Sequence, residues 1–251
     1  MVWVKICGIT NEDDALLATA LGADAIGFVF APSRRQVDID TVRDIVKRVP
    51  SEIITVGVFR NERPERVAEI VNRIGLHGAQ LHGDEPLSEV RWIRQRVQFV
   101  IQGFAAGDPG IQAASNGPAD ILLLDAKEPG SGAVFDWRLA ETVPRGVRLL
   151  LAGGLTPDNV QNAIDKVRPW GVDVSTGVEV APGRKDPRKL RMFIEAAKRE
   201  DLDEFGEPLP TNGAAPAAGA LGRDAFVNRP DRETLADDDD VRPFNWEFDD
   251  Q

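Results

Sequence analysis

Short apolar runs alternate with amphipathic stretches from the start of the chain to about residue 198. Eight of the runs have strand length and stop at glycine or polar turn residues: Val2–Cys7, Ala25–Phe30, Ile53–Phe59, Gly78–His82, Phe99–Phe104, Ile121–Asp125, Arg148–Ala152 and Gly171–Ser175. Each is followed by a segment with helical signals: Asn11–Leu21, Asp40–Arg48, Pro64–Ile74, Leu87–Arg96, Pro109–Ser115, Trp137–Thr142, Pro157–Val167 and Pro187–Arg199. Thr10 and Asn11 are suited to cap the first helix, and Thr156-Pro157 reads as N-cap and first turn of the seventh. Eight βα repeats in about 200 residues predict an α/β protein of the (β/α)8 TIM-barrel class, near the small end of its range. The rival is a doubly wound open sheet. Such sheets more often carry a glycine-rich fingerprint after the first strand, and Cys7-Gly8-Ile9-Thr10 is not one.

The pattern stops after residue 199. Residues 200–251 are Ala-, Pro- and Gly-rich, then acidic through Asp237–Asp240, and end near Phe244-Asn245-Trp246-Glu247-Phe248. The expectation is a barrel domain over 1–199 and a disordered acidic tail over 200–251. The tail reads either as a solvated extension or as a docking motif. Phe244, Trp246 and Phe248 would share one face of an added strand.

Composition changes the picture in two places. The net charge of −11 is a property of the tail, because residues 201–251 hold 14 of the 41 acidic residues and 4 of the 30 basic ones. The rest is nearly neutral and shows no basic face for nucleic acid. A single cysteine excludes an internal disulfide framework. No apolar run approaches the roughly 18 residues of a membrane span, and no charged-then-apolar leader opens the sequence. The expected compartment is the cytoplasm, with no membrane partner.

Chemistry is expected at the C-terminal ends of barrel strands. Period-2 alternation places Trp3, Lys5 and Cys7 on one face of the first strand, Gln80 and His82 on one face of the fourth, and Asp173 and Ser175 on one face of the eighth. The sixth strand is apolar until it ends on Asp125. Cys7 and Asp125 thus end strands on opposite sides of the ring, an arrangement for moving protons. Each also has a plain reading, Cys7 as a small buried hydrophobe and Asp125 as a turn or cap residue. Gly153 and Gly154 after strand seven, with Ser175, Thr176 and Gly177 after strand eight, suit a phosphate site; tight turns are the alternative. Arg34 and Arg35 offer guanidinium groups after strand two, either for a substrate carboxylate or as solvated surface. His77 and His82 are the only histidines, fall on opposite strand faces and do not make a metal site. His77 is expected at the surface. Lys5, on the face that carries Cys7, is expected to pair with Asp173 across the seam where the barrel closes.

Together these motifs resemble the phosphoribosylanthranilate isomerase family of tryptophan biosynthesis. The likeness runs in order through VKICGIT (4–10), GFVF (27–30), SRRQV (33–37), VGVF (56–59), QLHGDE (80–85), LLLD (122–125), GSGAVFDW (130–137), LAGGLTPDNV (151–160), DVSTGVE (173–179) and PGRKD (182–186). It covers almost all of residues 2–198 and none of the tail. It implies an Amadori rearrangement of N-(5-phosphoribosyl)anthranilate to 1-(carboxyphenylamino)-1-deoxyribulose 5-phosphate, without cofactor or metal, by a monomer or homodimer. Under it, Asp125 is the general acid, Cys7 the general base and Arg35 the partner of the anthranilate carboxylate. Gln80 and His82 lie near the substrate; Gly153, Gly154, Ser175, Thr176 and Gly177 surround its phosphate. The chain departs from the family pattern in Ser131 between two glycines, in Thr176, and in Arg34 where a proline is common. A histidine-pathway relative on the same fold carries aspartate in place of Cys7, so the cysteine favours the anthranilate substrate. A non-catalytic metabolite binder would need neither Cys7 nor Asp125.

Overall fold

A computed structural model of the chain describes residues 2–125, 139–140, 143–144 and 146–199. Most of the expected sixth helix (137–142) and all of the expected tail (200–251) lie outside these residues.

Eight parallel strands close into a barrel in sequence order: β1 (Trp3–Cys7), β2 (Ala25–Val29), β3 (Ile54–Phe59), β4 (Gly78–Leu81), β5 (Phe99–Ala105), β6 (Ile121–Asp125), β7 (Leu149–Leu151) and β8 (Gly171–Val174), with β8 paired back to β1. This is the (β/α)8 class. The outer helices are α1 (Glu12–Ala20), α2 (Ile39–Val46), α3 (Pro64–Ile74), α4 (Leu87–Arg94), α5 (Gly110–Ala114), α6 (Val160–Val167) and α7 (Pro187–Ala197). In α3, Val67, Ile70, Val71 and Ile74 recur at helical spacing and are buried, which seats that stripe on the sheet. Asn11 caps α1 as expected, its side chain accepting from the Asp14 N–H. The seventh expected helix begins later, at Val160. Asn159 accepts from the Thr156 N–H and donates to the Gly154 carbonyl, and this holds 156–159 as a turn ahead of the helix. Among the described residues no helix is long and apolar enough to cross a membrane.

The barrel interior changes character along its axis. Trp3, Ile54, Phe99, Ile101, Ile121, Leu123, Leu150 and Trp170 fill it with apolar side chains. Toward the C-terminal ends, the inward positions turn polar: Trp3 gives way to Lys5 and Cys7, Leu123 to Asp125, and Gly171 to Asp173.

At the opposite end, one device repeats. The residue just before each of β2, β4 and β6 accepts a backbone N–H from the preceding odd-numbered strand. Asp24 accepts from Val4 (2.8 Å), His77 from Thr55 (3.1 Å) and Asp120 from Val100 (2.9 Å). All three sit at the same register, one position before the first paired residue of their strand. His77 is therefore not at the surface as expected. It is buried, with Nδ1 also 2.8 Å from the Thr55 hydroxyl, because the N–H at that rung needs an acceptor.

Beyond β8 lie a single 3-10 turn (Thr176–Val178) and a small hairpin of β9 (Glu179–Ala181) and β10 (Arg184–Lys185). The hairpin was not expected, although Pro182-Gly183 marks its turn.

Candidate active site

Cys7 ends β1 opposite Gly27 on β2. A Cβ at Gly27 would lie 3.0 Å from the Cys7 sulphur and 3.1 Å from Lys5 Nζ, so the glycine makes room for both. Lys5 is fully buried and donates to Asp173 Oδ1 at 2.8 Å, as expected, and its ammonium is electrostatically coupled to the Cys7 sulphur. Burial alone would push the Lys5 ammonium toward its neutral form. The Asp173 carboxylate and the Cys7 sulphur outweigh that and hold the lysine above its ordinary range. Burial pushes the Cys7 thiol up. The Lys5 and Lys185 ammonium groups oppose the shift and Asp173 adds to it, and the net direction keeps the thiol protonated at neutral pH.

Asp125 ends β6 and is buried at the mouth, its Oδ2 3.3 Å from Nε2 of His82. Gln80 Nε2 lies 2.9 Å from Nδ1 of the same ring. A Gln80 amide N–H donated to Nδ1 places the imidazole proton on Nε2, the atom that faces Asp125.

Asp125 also lines a cleft of about 360 Å³, counting its open mouth, together with Asp173, Gly153, Gly154, Ser175, Thr176 and Gly177. The backbone at Gly153 and Gly154 has φ of +82° and +64°, the left-handed region that favours glycine. A Cβ at Gly177 would fall 1.8 Å from the Leu155 carbonyl oxygen, so only glycine lets the two loops meet. Among the described residues the buried Ser175 hydroxyl has no hydrogen-bond partner. A phosphate would supply one.

Arg35 reaches the same region, whereas Arg34 is exposed. The Arg35 guanidinium grips Glu179 through Nε (2.8 Å) and Nη2 (2.7 Å), and Nη2 is 3.2 Å from the Thr176 hydroxyl. Its hydrogen bonds to Glu179 hold the Arg35 cation above the usual arginine range. Burial pushes Glu179 up, but Arg35 and Lys185 overcome it and keep the carboxyl below its ordinary range. The hydrogen bonds of the Arg35 side chain run through Nε and Nη2.

The structure thus brings Asp125, Gly153, Gly154, Ser175, Thr176 and Gly177 to one cleft. Gln80 and His82 join it through Asp125, Cys7 through Lys5 and Asp173, and Arg35 through Thr176. Glu179 and Lys185 were not singled out as site residues. They lie in the DVSTGVE (173–179) and PGRKD (182–186) stretches on either side of the hairpin turn.

Comparison with known proteins agrees along the barrel. Residues 4–196 match the family model described as N-(5'phosphoribosyl)anthranilate (PRA) isomerase. The N-(5'-phosphoribosyl)anthranilate isomerase of Desulforudis audaxviator is 49% identical over 205 residues, covering 79% of this chain and 98% of that protein. The crystal structure of phosphoribosyl anthranilate isomerase from Thermus thermophilus superposes with a TM-score of 0.74 at 40% identity, covering 78% of this chain and 98% of the other. A further phosphoribosyl anthranilate isomerase structure, in complex with reduced 1-(o-carboxyphenylamino)-1-deoxyribulose 5-phosphate, has a TM-score of 0.69 and 39% identity, covering 79% and 99%. The chain belongs to the N-(5'-phosphoribosyl)anthranilate isomerase family.

Proposed function

We propose that this chain isomerises N-(5-phosphoribosyl)anthranilate to 1-(2-carboxyphenylamino)-1-deoxyribulose 5-phosphate in tryptophan biosynthesis. The observation that carries the reading is that Asp125 shares one cleft with the Gly153–Gly154 and Ser175–Gly177 loops, whose wall Asp173 ties through Lys5 to Cys7.

The substrate phosphate sits against the N–H groups of the two glycine loops and the Ser175 hydroxyl, with Thr176 beside it. The anthranilate carboxylate pairs with Arg35. Asp125, with His82 beside it, gives its proton to the furanose ring oxygen. The C1–O bond breaks, and the nitrogen lone pair forms a positively charged Schiff base at C1. That cation opposes the burial that holds Cys7 protonated, and the thiol releases its proton to solvent to give the thiolate. The Cys7 sulphur then takes the proton from C2, and the C2–H electron pair forms the enolamine. Protonation at C1 and loss of the C2 hydroxyl proton give the ketose. Proton transfer by two positioned groups suffices, so the reading calls for no cofactor or metal.

The protein acts as a monomer or homodimer in the cytoplasm, and any protein contact made through the tail is separate from the chemistry. The test is a steady-state assay of the full chain with freshly made phosphoribosylanthranilate, beside the histidine-pathway aminoaldose. Turnover of the first and none of the second is expected. Failure to turn over the first rejects the reading.

A further inference from the structure

Lys185, on the small hairpin, is fully buried yet carries an ammonium group that the reaction above does not use. Burial pulls that ammonium below the ordinary lysine range, and Glu179 opposes the shift. Its three N–H donors meet three acceptors: the Cys7 carbonyl at 2.6 Å, Glu179 Oε1 at 3.1 Å and the Ser175 carbonyl at 3.3 Å.

The two carbonyls have a particular place in the barrel. The parallel ladder between β1 and β8 ends at the pair Ile6 and Val174. Cys7 and Ser175 are the next residues on each strand, past the last paired rung. The ammonium bridges the seam there, joining the backbone of the thiol residue to that of the phosphate-loop serine. Its remaining donor goes to Glu179, the carboxylate that holds the Arg35 guanidinium in a two-bond fork. The hairpin is anchored in turn. The Lys185 N–H donates to Asp14 Oδ2 at 2.8 Å, and the Thr10 hydroxyl donates to the Gly183 carbonyl.

We propose that Lys185 is a positioning residue for the isomerisation, with one branch fixing the Cys7 and Ser175 backbones at the seam and a second, through Glu179, aiming Arg35. The inference rests on the activity proposed above. The charged groups around the thiol are Lys5 on β1, Asp173 on β8, Lys185 on the hairpin and Arg35 in the loop after β2. Of these, Lys185 acts on the thiol residue both through its charge and by holding its carbonyl.

The test compares Lys185→Met with Glu179→Gln in the full chain. It reads kcat and KM for phosphoribosylanthranilate, and the pH dependence of Cys7 alkylation by iodoacetamide without substrate. Lys185→Met cuts both branches. A roughly tenfold fall in kcat and a roughly tenfold rise in KM are expected, and the alkylation midpoint moves to higher pH because a nearby cation is lost. Glu179→Gln loosens Arg35 and takes a carboxylate from beside the Lys185 ammonium, but leaves the lysine's bonds to the Cys7 and Ser175 carbonyls. KM rises by a similar factor while kcat stays within about twofold, and the alkylation midpoint moves less than in Lys185→Met.

A scaffold role alone would lower the unfolding midpoint without moving the thiol titration or dividing kcat from KM. A folded Lys185→Met protein with wild-type kcat, KM and alkylation profile overturns the proposal. Should Lys185→Met fail to fold, an unchanged KM in Glu179→Gln overturns it instead. The alkylation profile needs no substrate, so a wild type unable to turn over phosphoribosylanthranilate rejects the activity without deciding this point.

Discussion

The two ends of this barrel use the same residue types for opposite purposes. At the N-terminal end, Asp24, His77 and Asp120 each accept a strand N–H. Arg94 and Lys198 further hold Asp120 and Asp24. At the C-terminal end, Asp125 lines a cleft with Asp173 and the two glycine loops, His82 lies beside Asp125, and the Ser175 hydroxyl there has no partner among the described residues. A polar group whose hydrogen bonds are filled by backbone stabilises the fold and has little left to offer a ligand. A polar group at the mouth that answers to other side chains rather than to a strand N–H can be given over to chemistry and adds less to the barrel's stability. Position along the strand, rather than residue type, divides the two roles.

Substitutions can break this division. The largest effect is expected from Cys7→Ser, since a hydroxyl is a far weaker source of an anionic base than a thiol. Turnover should fall by about 10³-fold or more, with the urea unfolding curve nearly unmoved. A Cys7→Ser protein with near-normal turnover would show that the thiol is structural.

His77→Ala should do the reverse. It leaves the Thr55 N–H buried without its acceptor, and stability should drop by about 1–3 kcal/mol while kcat/KM at moderate temperature is kept. Denaturant unfolding and a standard assay check both arms. A folded variant that loses turnover at unchanged stability would mean the base of the barrel also serves catalysis.

A smaller effect concerns pH. The folded state holds the Glu179 carboxyl below its ordinary value. Its ion pairs therefore stabilise fully above the unfolded carboxyl's pKa of about 4.3. That contribution is lost as pH falls through the lower folded value. Comparing unfolding of wild type and Glu179→Gln from neutral pH down to about pH 3 should show a gap that closes in the acid range. A gap that is constant with pH contradicts the ion-pair account.

The smallest effect is expected from removing residues 201–251, which should leave turnover unchanged. A large loss would tie the tail to the site.

Much of this division was legible before the structure. Period-2 alternation located the inward set Trp3, Lys5 and Cys7, and ring closure paired Lys5 with Asp173, which meet at 2.8 Å. Asp125 stood out because a carboxylate ends an otherwise apolar strand. His77 did not, since its burial depends on which rung of β3 it faces, and strand register is a relation between segments rather than a local pattern. Arg35 was expected at the mouth, but its partner Glu179 lies 144 residues away. Lys185 was hidden for the same reason. Its value comes from two carbonyls that become neighbours only when β8 closes on β1.

One strand tests the central claim. Asp120 stands just before β6 and Asp125 ends it, so the same change to alanine can be made at both ends of a single element. The account predicts that Asp125→Ala lowers kcat/KM by at least about 10²-fold with little loss of unfolding free energy. It predicts that Asp120→Ala keeps kcat/KM and loses about 1–3 kcal/mol, because the Val100 N–H is left without an acceptor. Near-normal turnover in Asp125→Ala, or a folded Asp120→Ala that is inactive at undiminished stability, would contradict it.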